Sequence, residues 1–292
     1  MNTVTGLKQA LPYLRLYNGK VFVIKMGGEI VAEEEILEQF GAQVSLLQRL
    51  SIHVVVVHGG GPQATEVARR LGLRVEMVNG RRVTDAQTLE VAKMVFNGKL
   101  NTEILAGLGR HQVPAVGLSG VDAGLIAAVR RPVQKVVDRE TGKTRKVNFG
   151  FVGDVESVNP TVLHHLIAGS YVPVISAMAG GQDGSIYNMN ADTVAAEIAI
   201  ALNATKLIFL TPIAGVLEDP TDPGSLISHI RLGDMDESLS SSVRGGMSVK
   251  LEACRHAIQG GVPRAHIISG LTSDSLLTEI FTNEGCGTLV EG

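Results

Sequence analysis

Tryptophan is absent, and Phe and Tyr together make up only 4% of the 292 residues. The aromatic platforms on which single-stranded nucleic acid stacks are therefore missing. Positive charge is not in excess either. Lys and Arg number 26 against 29 Asp and Glu, a net charge of −3, so no chain-wide basic field exists to capture a phosphate backbone. Cysteine is confined to Cys254 and Cys286 with no CxxC pair, which excludes a disulfide framework and a cysteine zinc site. No apolar run is long enough to span a bilayer, and the N-terminus lacks the basic-then-apolar pattern of a signal peptide. The expectation is a cytoplasmic protein with neither nucleic acid nor membrane as partner. Asn203-Ala204-Thr205 then reads as a chance match to a glycosylation acceptor.

Several nucleotide and hydrolase signatures are missing as well. There is no GxxxxGK[ST], no GxGxxG after a strand, no HExxH and no GxSxG. His164-His165 are adjacent and cannot share a helical face, which predicts a surface or capping role. His58, at the end of an apolar run, reads as a hydrogen-bonded structural histidine.

What is present is an α/β alternation. Val21–Ile24, Val54–Val57, Pro114–Leu118, Tyr171–Ile175, Lys206–Leu210 and Ala265–Ile268 are continuous apolar runs, as expected of strands buried on both faces. Helical candidates are Glu33–Leu50, Pro62–Leu71, Asp85–Val95, Asn101–Arg110, Ala191–Leu202 and Met247–Gln259, the last stopped by Gly260-Gly261. Leu125–Val152 breaks the alternation and predicts an exposed hairpin turning at Thr141-Gly142. Its basic residues Arg130, Arg131, Lys135, Arg139, Lys143, Arg145 and Lys146 form a solvated face. Gly180–Gly184 and Glu218–Gly224 read as loops, the first as a seam between two lobes spanning residues 1–180 and 181–292.

Chemistry is signalled where strands run into glycines. Val21–Ile24 leads into Lys25-Met26-Gly27-Gly28, and Val54–Val57 leads into His58-Gly59-Gly60-Gly61-Pro62. Glycine lets backbone N–H groups converge on an anion, and a following helix adds its positive N-terminal end. Asn188-Met189-Asn190-Ala191-Asp192 opens another helix, with Asn190 and Asp192 as candidate caps. Gly245-Gly246-Met247 precedes Lys250 in the first turns of a further one.

In this order, and together with Asn79-Gly80-Arg81-Arg82-Val83-Thr84 and Gly117-Leu118-Ser119-Gly120, these motifs resemble the amino-acid kinase family, in the branch acting on N-acetyl-L-glutamate. The resemblance covers nearly the whole chain. It implies an open α/β/α sandwich with a mainly parallel central sheet, the N-terminal lobe taking the acyl amino acid and the C-terminal lobe taking ATP. It implies ATP-dependent phosphorylation of a γ-carboxylate in arginine biosynthesis, with Mg²⁺ accompanying the nucleotide and no metal site in the protein. Lys25 and Lys250 would flank the transferring phosphoryl group, and Asp192 would organise both ammonium groups. Gly59, Gly60, Arg82 and Asn188 would hold the acyl amino acid, with Arg81 the alternative to Arg82. Gly27, Gly28, Thr211, Gly246 and Lys250 would contact ATP. A γ-carboxylate of pKa ~4.3 is already a nucleophile at neutral pH, so no general base is required.

The chain departs from the family pattern at three points, one of them Arg81 preceding Arg82. Thr211-Pro212 stands where Thr-Asp is common, and Glu29 places a carboxylate beside the expected phosphates, where it would have to turn away. Gly-Gly-Glu here also resembles the kinase-like module of N-acetylglutamate synthase. Two alternatives therefore stand beside the kinase: an arginine-sensing module partnering a separate acetyltransferase, and a kinase of a related amino acid. The stretch Thr5–Tyr17, with Leu7, Leu11, Leu14 and Leu16 around Pro12, resembles the extra helix that joins family dimers into hexamers. A homo-oligomer, dimer or hexamer, is implied. His266, Glu284 and Gly287 resemble the family's pocket for L-arginine, implying an allosteric inhibitor.

Overall fold

A computed structural model describes residues 3–79, 81–137, 144–235 and 246–292, with side chains from residue 10 onward. The expected turn at Thr141-Gly142, the cluster members Arg139 and Lys143, the motif glycines Gly80 and Gly245, and the Leu7 side chain lie outside the described residues.

Eight strands build one sheet in the spatial order His229–Arg231, Thr288–Glu291, Arg264–Ser269, Lys206–Thr211, Val21–Met26, His53–His58, Val172–Ser176 and Ala115–Ser119. All neighbours run parallel except Arg264–Ser269 against Thr288–Glu291. Successive side chains on a strand face opposite ways, so each strand feeds two cores. Phe22, Ile24, Val54, Val56, Ile208 and Leu210 join one core, under the helices Glu34–Arg49 and Asn101–Arg110. Val23, Val55, Val57, Leu207 and Phe209 join the other, under Ala191–Ala201 and Gly246–Gln259. The result is the expected α/β/α sandwich. The four sheet strands before residue 180 form one side of the sheet, and the four after it form the other.

The excursion at Leu125–Val152 differs from the single hairpin expected. Ile126–Arg130 pairs with Gly153–Val158 in a second, four-stranded sheet that also holds Met178–Gly180 and Ile186–Asn188. Only Gln134–Val137 and Thr144–Val147 form the hairpin, because Ile126 and Ala128 are buried and demand a covered partner strand. Gly180–Gly184 is the tight connection of the second sheet, with Gly181 N–H donating to Ser185 O at 2.7 Å. The gap left between the expected helices Asp85–Val95 and Asn101–Arg110 is filled by helix. Ala86–Lys93 runs through a π-helical stretch, Met94–Leu100, into Asn101–Arg110. The widened turns place both Asn97 and Asn101 toward the sheet, where they bond Ser176 and Val174.

The N-terminal helix is Thr3–Tyr17, with Pro12 inside it. Two of its leucines do not anchor it: Leu11 and Leu16 are exposed, while Leu14 is half-buried. Tyr17 is buried, stacks with Tyr13 and meets Phe22 edge-on at 5.1 Å, while the Tyr13 hydroxyl donates to Asn283.

Candidate active site

In open parallel sheets, ligands enter beyond the carboxyl ends of the strands, where neighbouring strands connect in opposite directions. Val21–Met26 is that point here, flanked by Lys206–Thr211 on one side and His53–His58 on the other. A cleft of about 530 Å³ opens there, lined by residues from both sides of the sheet.

At its floor lies a carboxylate between two ammonium groups. Lys25 shares the face of Val23 and pairs in register with Phe209, so its side chain runs under the helix Ala191–Ala201. Asp192 sits in the first turn of that helix, which is started by Asn190 accepting from Thr193 N–H at 2.9 Å. Lys250 comes from the neighbouring helix, Gly246–Gln259. Lys25 Nζ is 2.7 Å from Asp192 Oδ1, and Lys250 Nζ donates to Oδ2 at 3.3 Å. The Lys25 contact is a close ion pair rather than an aligned hydrogen bond, since Oδ1 receives no well-directed donor among the described residues.

Lys25 and Asp192 are each only 6% exposed, which makes their charge states matter. Burial pushes the Asp192 carboxyl up, but the two lysines outweigh it and hold the group below its ordinary value. Burial lowers Lys25, with Asp192 pulling it back and Lys250 pushing the same way as burial. Among the described residues two cations share one buried carboxylate at the floor of the cleft, with Glu29 adding a weaker attraction on Lys25, an arrangement that favours an anionic ligand.

The glycine turns form the walls. Gly27 N–H donates to Leu210 O and Gly59 N–H to Met26 O, both at 3.3 Å, so these two amides are engaged within the protein. The amides of Gly28, Gly60 and Gly61 have no acceptor among the described residues. Close approach explains two of the glycines. A Cβ on Gly60 would stand 2.3 Å from Leu100 Cδ1, and one on Gly28 would stand 2.8 Å from both Gln63 Oε1 and Pro62 Cδ.

Arg82 and Asn188 line the same cleft. Arg82 Nη2 donates to Gly61 O at 2.6 Å and Thr65 Oγ1 at 2.5 Å, while its buried Nη1 has no partner among the described residues. Asn188 donates to Thr84 Oγ1 at 3.1 Å. Arg81 also lines the cleft, as does Arg131, which donates to Asp154 Oδ1 from Nε at 2.9 Å and Nη2 at 2.6 Å. The sequence had placed Arg131 on a solvated face; its side chain is 13% exposed. Thr211 lies at the cleft end with its hydroxyl occupied by the Ile213 carbonyl at 2.7 Å. Pro212 and Glu29 are on the wall, and Glu29 does not turn away: a Cβ on Gly27 would meet its Oε2 at 3.3 Å. Gly246 begins its helix outside the cleft lining.

The three residues singled out near the C-terminus separate. His266 is buried, with Nδ1 2.7 Å from Glu279 Oε1 and Nε2 2.8 Å from Lys206 Nζ. Glu279 Oε2 accepts from the N–H groups of Cys286 at 2.7 Å and Gly287 at 3.2 Å. Glu284 is exposed instead, so the carboxylate that His266 and Gly287 meet is Glu279, which sequence reasoning missed along with Lys206. Burial lowers Lys206 to about 8 and lowers His266 as well.

A family model, the amino acid kinase family, matches residues 20–269. An acetylglutamate kinase of Myxococcus xanthus is 46% identical over 98% of this chain and 93% of its own. One from Symbiobacterium thermophilum is 47% identical over 97% of this chain and 96% of its own. Among solved structures, N-acetylglutamate synthase of Neisseria gonorrhoeae complexed with coenzyme A and N-acetyl-glutamate superposes with a TM-score of 0.85 at 24% identity. It covers all of this chain, which spans 64% of that longer one.

Two buried imidazoles give the fold a pH signature. Burial lowers His58 from 6.5 to about 4, and lowers His266 in the same direction. The unfolded chain then takes up protons that the folded one refuses, so the stabilisation present above pH ~6.5 is lost as pH falls toward 4. The thermal midpoint is expected to drop steadily between pH 6.5 and 4.5. A midpoint flat across that window would contradict it.

Proposed function

The chain belongs to the amino acid kinase family, and from that premise we propose that it transfers the γ-phosphoryl group of ATP to the γ-carboxylate of N-acetyl-L-glutamate, a step of arginine biosynthesis. The carrying observation is Asp192 clasped by Lys25 and Lys250, in a chain that matches acetylglutamate kinases over nearly its full length. The same match, covering over nine-tenths of those kinases, favours the enzyme over an arginine-sensing module.

The attacking carboxylate is ionised at neutral pH, so the obstacle is its repulsion from a polyanion rather than proton removal. In this reading Lys25 and Lys250 neutralise the phosphoryl oxygens, and Asp192 fixes the position of both ammonium groups. It accepts no proton. Arg82, through its unpartnered Nη1, and Asn188 hold the carboxylate end of the acyl amino acid. Gly60 contributes a free backbone amide, whereas the Gly59 amide, anticipated as a donor, is tied to Met26. Gly28 offers the ATP phosphates a backbone amide that has no acceptor among the described residues. Residues 1–180 would thus serve mainly the acyl amino acid and residues 181–292 mainly the nucleotide, with Asn188 and Gly28 each reaching across that division.

No cluster of three or more His, Cys, Asp or Glu among the described residues could hold a metal by itself. In this reading phosphate oxygens would be the main ligands of Mg²⁺, with Glu29 the carboxylate that lines the same cleft. Bound there, Mg²⁺ would neutralise charge on the β- and γ-phosphates.

Purified chain with Mg-ATP and N-acetylglutamate is expected to release ADP and an acyl phosphate trapped by hydroxylamine. Absence of trapped product would overturn the reading. Lys25→Ala should lower kcat by about 10²–10³-fold while the KM for N-acetylglutamate moves little. Equal change in both, or unchanged turnover, would remove its assigned role.

Feedback by L-arginine at the cluster around Glu279 extends the proposal, supported by the gathering of His266 and Gly287 there. Activity should fall as arginine is titrated, and no change up to millimolar levels would refute it. Assembly with further copies is supported by Leu11 and Leu16, which project unpacked from the N-terminal helix. Sedimentation should find a dimer or hexamer; a monomer would exclude both.

A further inference from the structure

His58 takes no part in the mechanism above, although it ends the strand that leads into Gly59-Gly60-Gly61. It is wholly buried and does not line the cleft. Held at a pKa of about 4, it is a neutral ring behind the glycine wall and not a proton acceptor for the reaction.

The hydrogen bonds fix which ring nitrogen carries the proton. Asn101 places one side-chain atom 2.9 Å from Val174 O and 3.1 Å from His58 Nε2. A carbonyl can only accept, so that atom is the amide nitrogen, and its second hydrogen faces Nε2. Nε2 is therefore bare. The proton resides on Nδ1, which lies 3.0 Å from the carbonyl oxygen of Gly59 and donates to it.

The peptide plane between Gly59 and Gly60 carries this bond toward the cleft. The chain has no cis peptide bond, and in a trans peptide the C=O of one residue and the N–H of the next point in opposite directions. Pulling the Gly59 carbonyl inward onto the buried His58 thus turns the Gly60 N–H outward. Gly60 lines the cleft, and its amide has no partner among the described residues. The same helical run presses on this loop from behind, because Phe96 and Leu100 sit where a Gly60 side chain would be, and Asn101 follows directly.

We propose that His58, with its tautomer set by Asn101, is a positioning residue that aims the Gly60 amide at the acyl amino acid. The inference rests on the substrate reading given above. Replacement by Gln puts an amide where Nε2 was and leaves the Gly59 carbonyl without its donor, whereas Asn puts an amide where Nδ1 was. His58→Gln should lower kcat/KM for N-acetylglutamate by about tenfold or more, with the KM for ATP within about twofold. His58→Asn should recover most of that loss.

Two outcomes overturn the proposal: equal impairment of both variants, or a His58→Gln defect shared equally between the two substrates. Imidazole ¹⁵N spectra of the wild-type chain provide a readout independent of activity. They should show an Nδ1–H tautomer for His58 that does not titrate between pH 5.5 and 8. An Nε2–H tautomer, or titration in that range, would refute the assignment. Failure of the wild-type chain to phosphorylate N-acetylglutamate would instead remove the substrate reading, leaving the spectra to decide whether His58 holds Gly59.

Discussion

One buried carboxylate, Asp192, reconciles two parts of the molecule that would otherwise repel each other. Lys25 belongs to the strand at the middle of the sheet and Lys250 to a helix more than two hundred residues away in sequence. Without an anion between them, two ammonium groups in so little water would shed a proton or force the elements apart. Asp192 provides that anion from the first turn of a helix, where the helix N-terminus also favours negative charge. Its two oxygens meet one lysine each. The packing of the helices Ala191–Ala201 and Gly246–Gln259 against the sheet and the geometry of the cleft floor are thus a single constraint.

The glycine walls depend on a second economy of space. Where the sheet strands end, the chain must turn back over them while leaving amides open to the cleft. Gly60 manages this only because it has no side chain: Phe96 and Leu100 already fill the volume behind it. The π-helical stretch that positions those two residues also brings Asn101 to His58 and Asn97 to Ser176. A regular α-helix through the same residues would rotate these groups around the axis, and one set of contacts would be lost.

The sequence made the central layers legible because buried parallel strands are written as continuous Val, Ile and Leu runs, as at Val54–Val57. The glycine turns and the lysine beside them were legible for the same reason, since they follow such runs directly. Elements without a local pattern were not. The strand Ile126–Arg130 owes its place to Gly153–Val158, a partner beyond the hairpin that local turn signals suggested. Glu279 carries no motif, and its partners His266 and Lys206 are 13 and 73 positions away, the second reached through a 60-residue separation from His266. Arg131 looked like one more charge on a basic hairpin until Asp154 and Phe149 enclosed it. In each case the missing information was a long-range partner.

The charge arrangement also explains why so many histidines can be structural in a chain read as an enzyme. His58 and His266 are buried and held below their ordinary values, and His164 and His165 are exposed on the helix Thr161–Ala168. None faces the cleft. A reaction limited by proton removal would need a general base there, most often a histidine, with a pKa near the working pH. Transfer between two groups that are already anionic needs fixed positive charge and aimed donors instead. The cleft offers Lys25 and Lys250 at its floor, Arg81, Arg82 and Arg131 on its walls, and the free amides of Gly28, Gly60 and Gly61. The buried imidazoles are then free for structural bonds, His266 to side chains and His58 to the backbone, and at His58 that bond reaches the edge of the cleft through a single peptide plane.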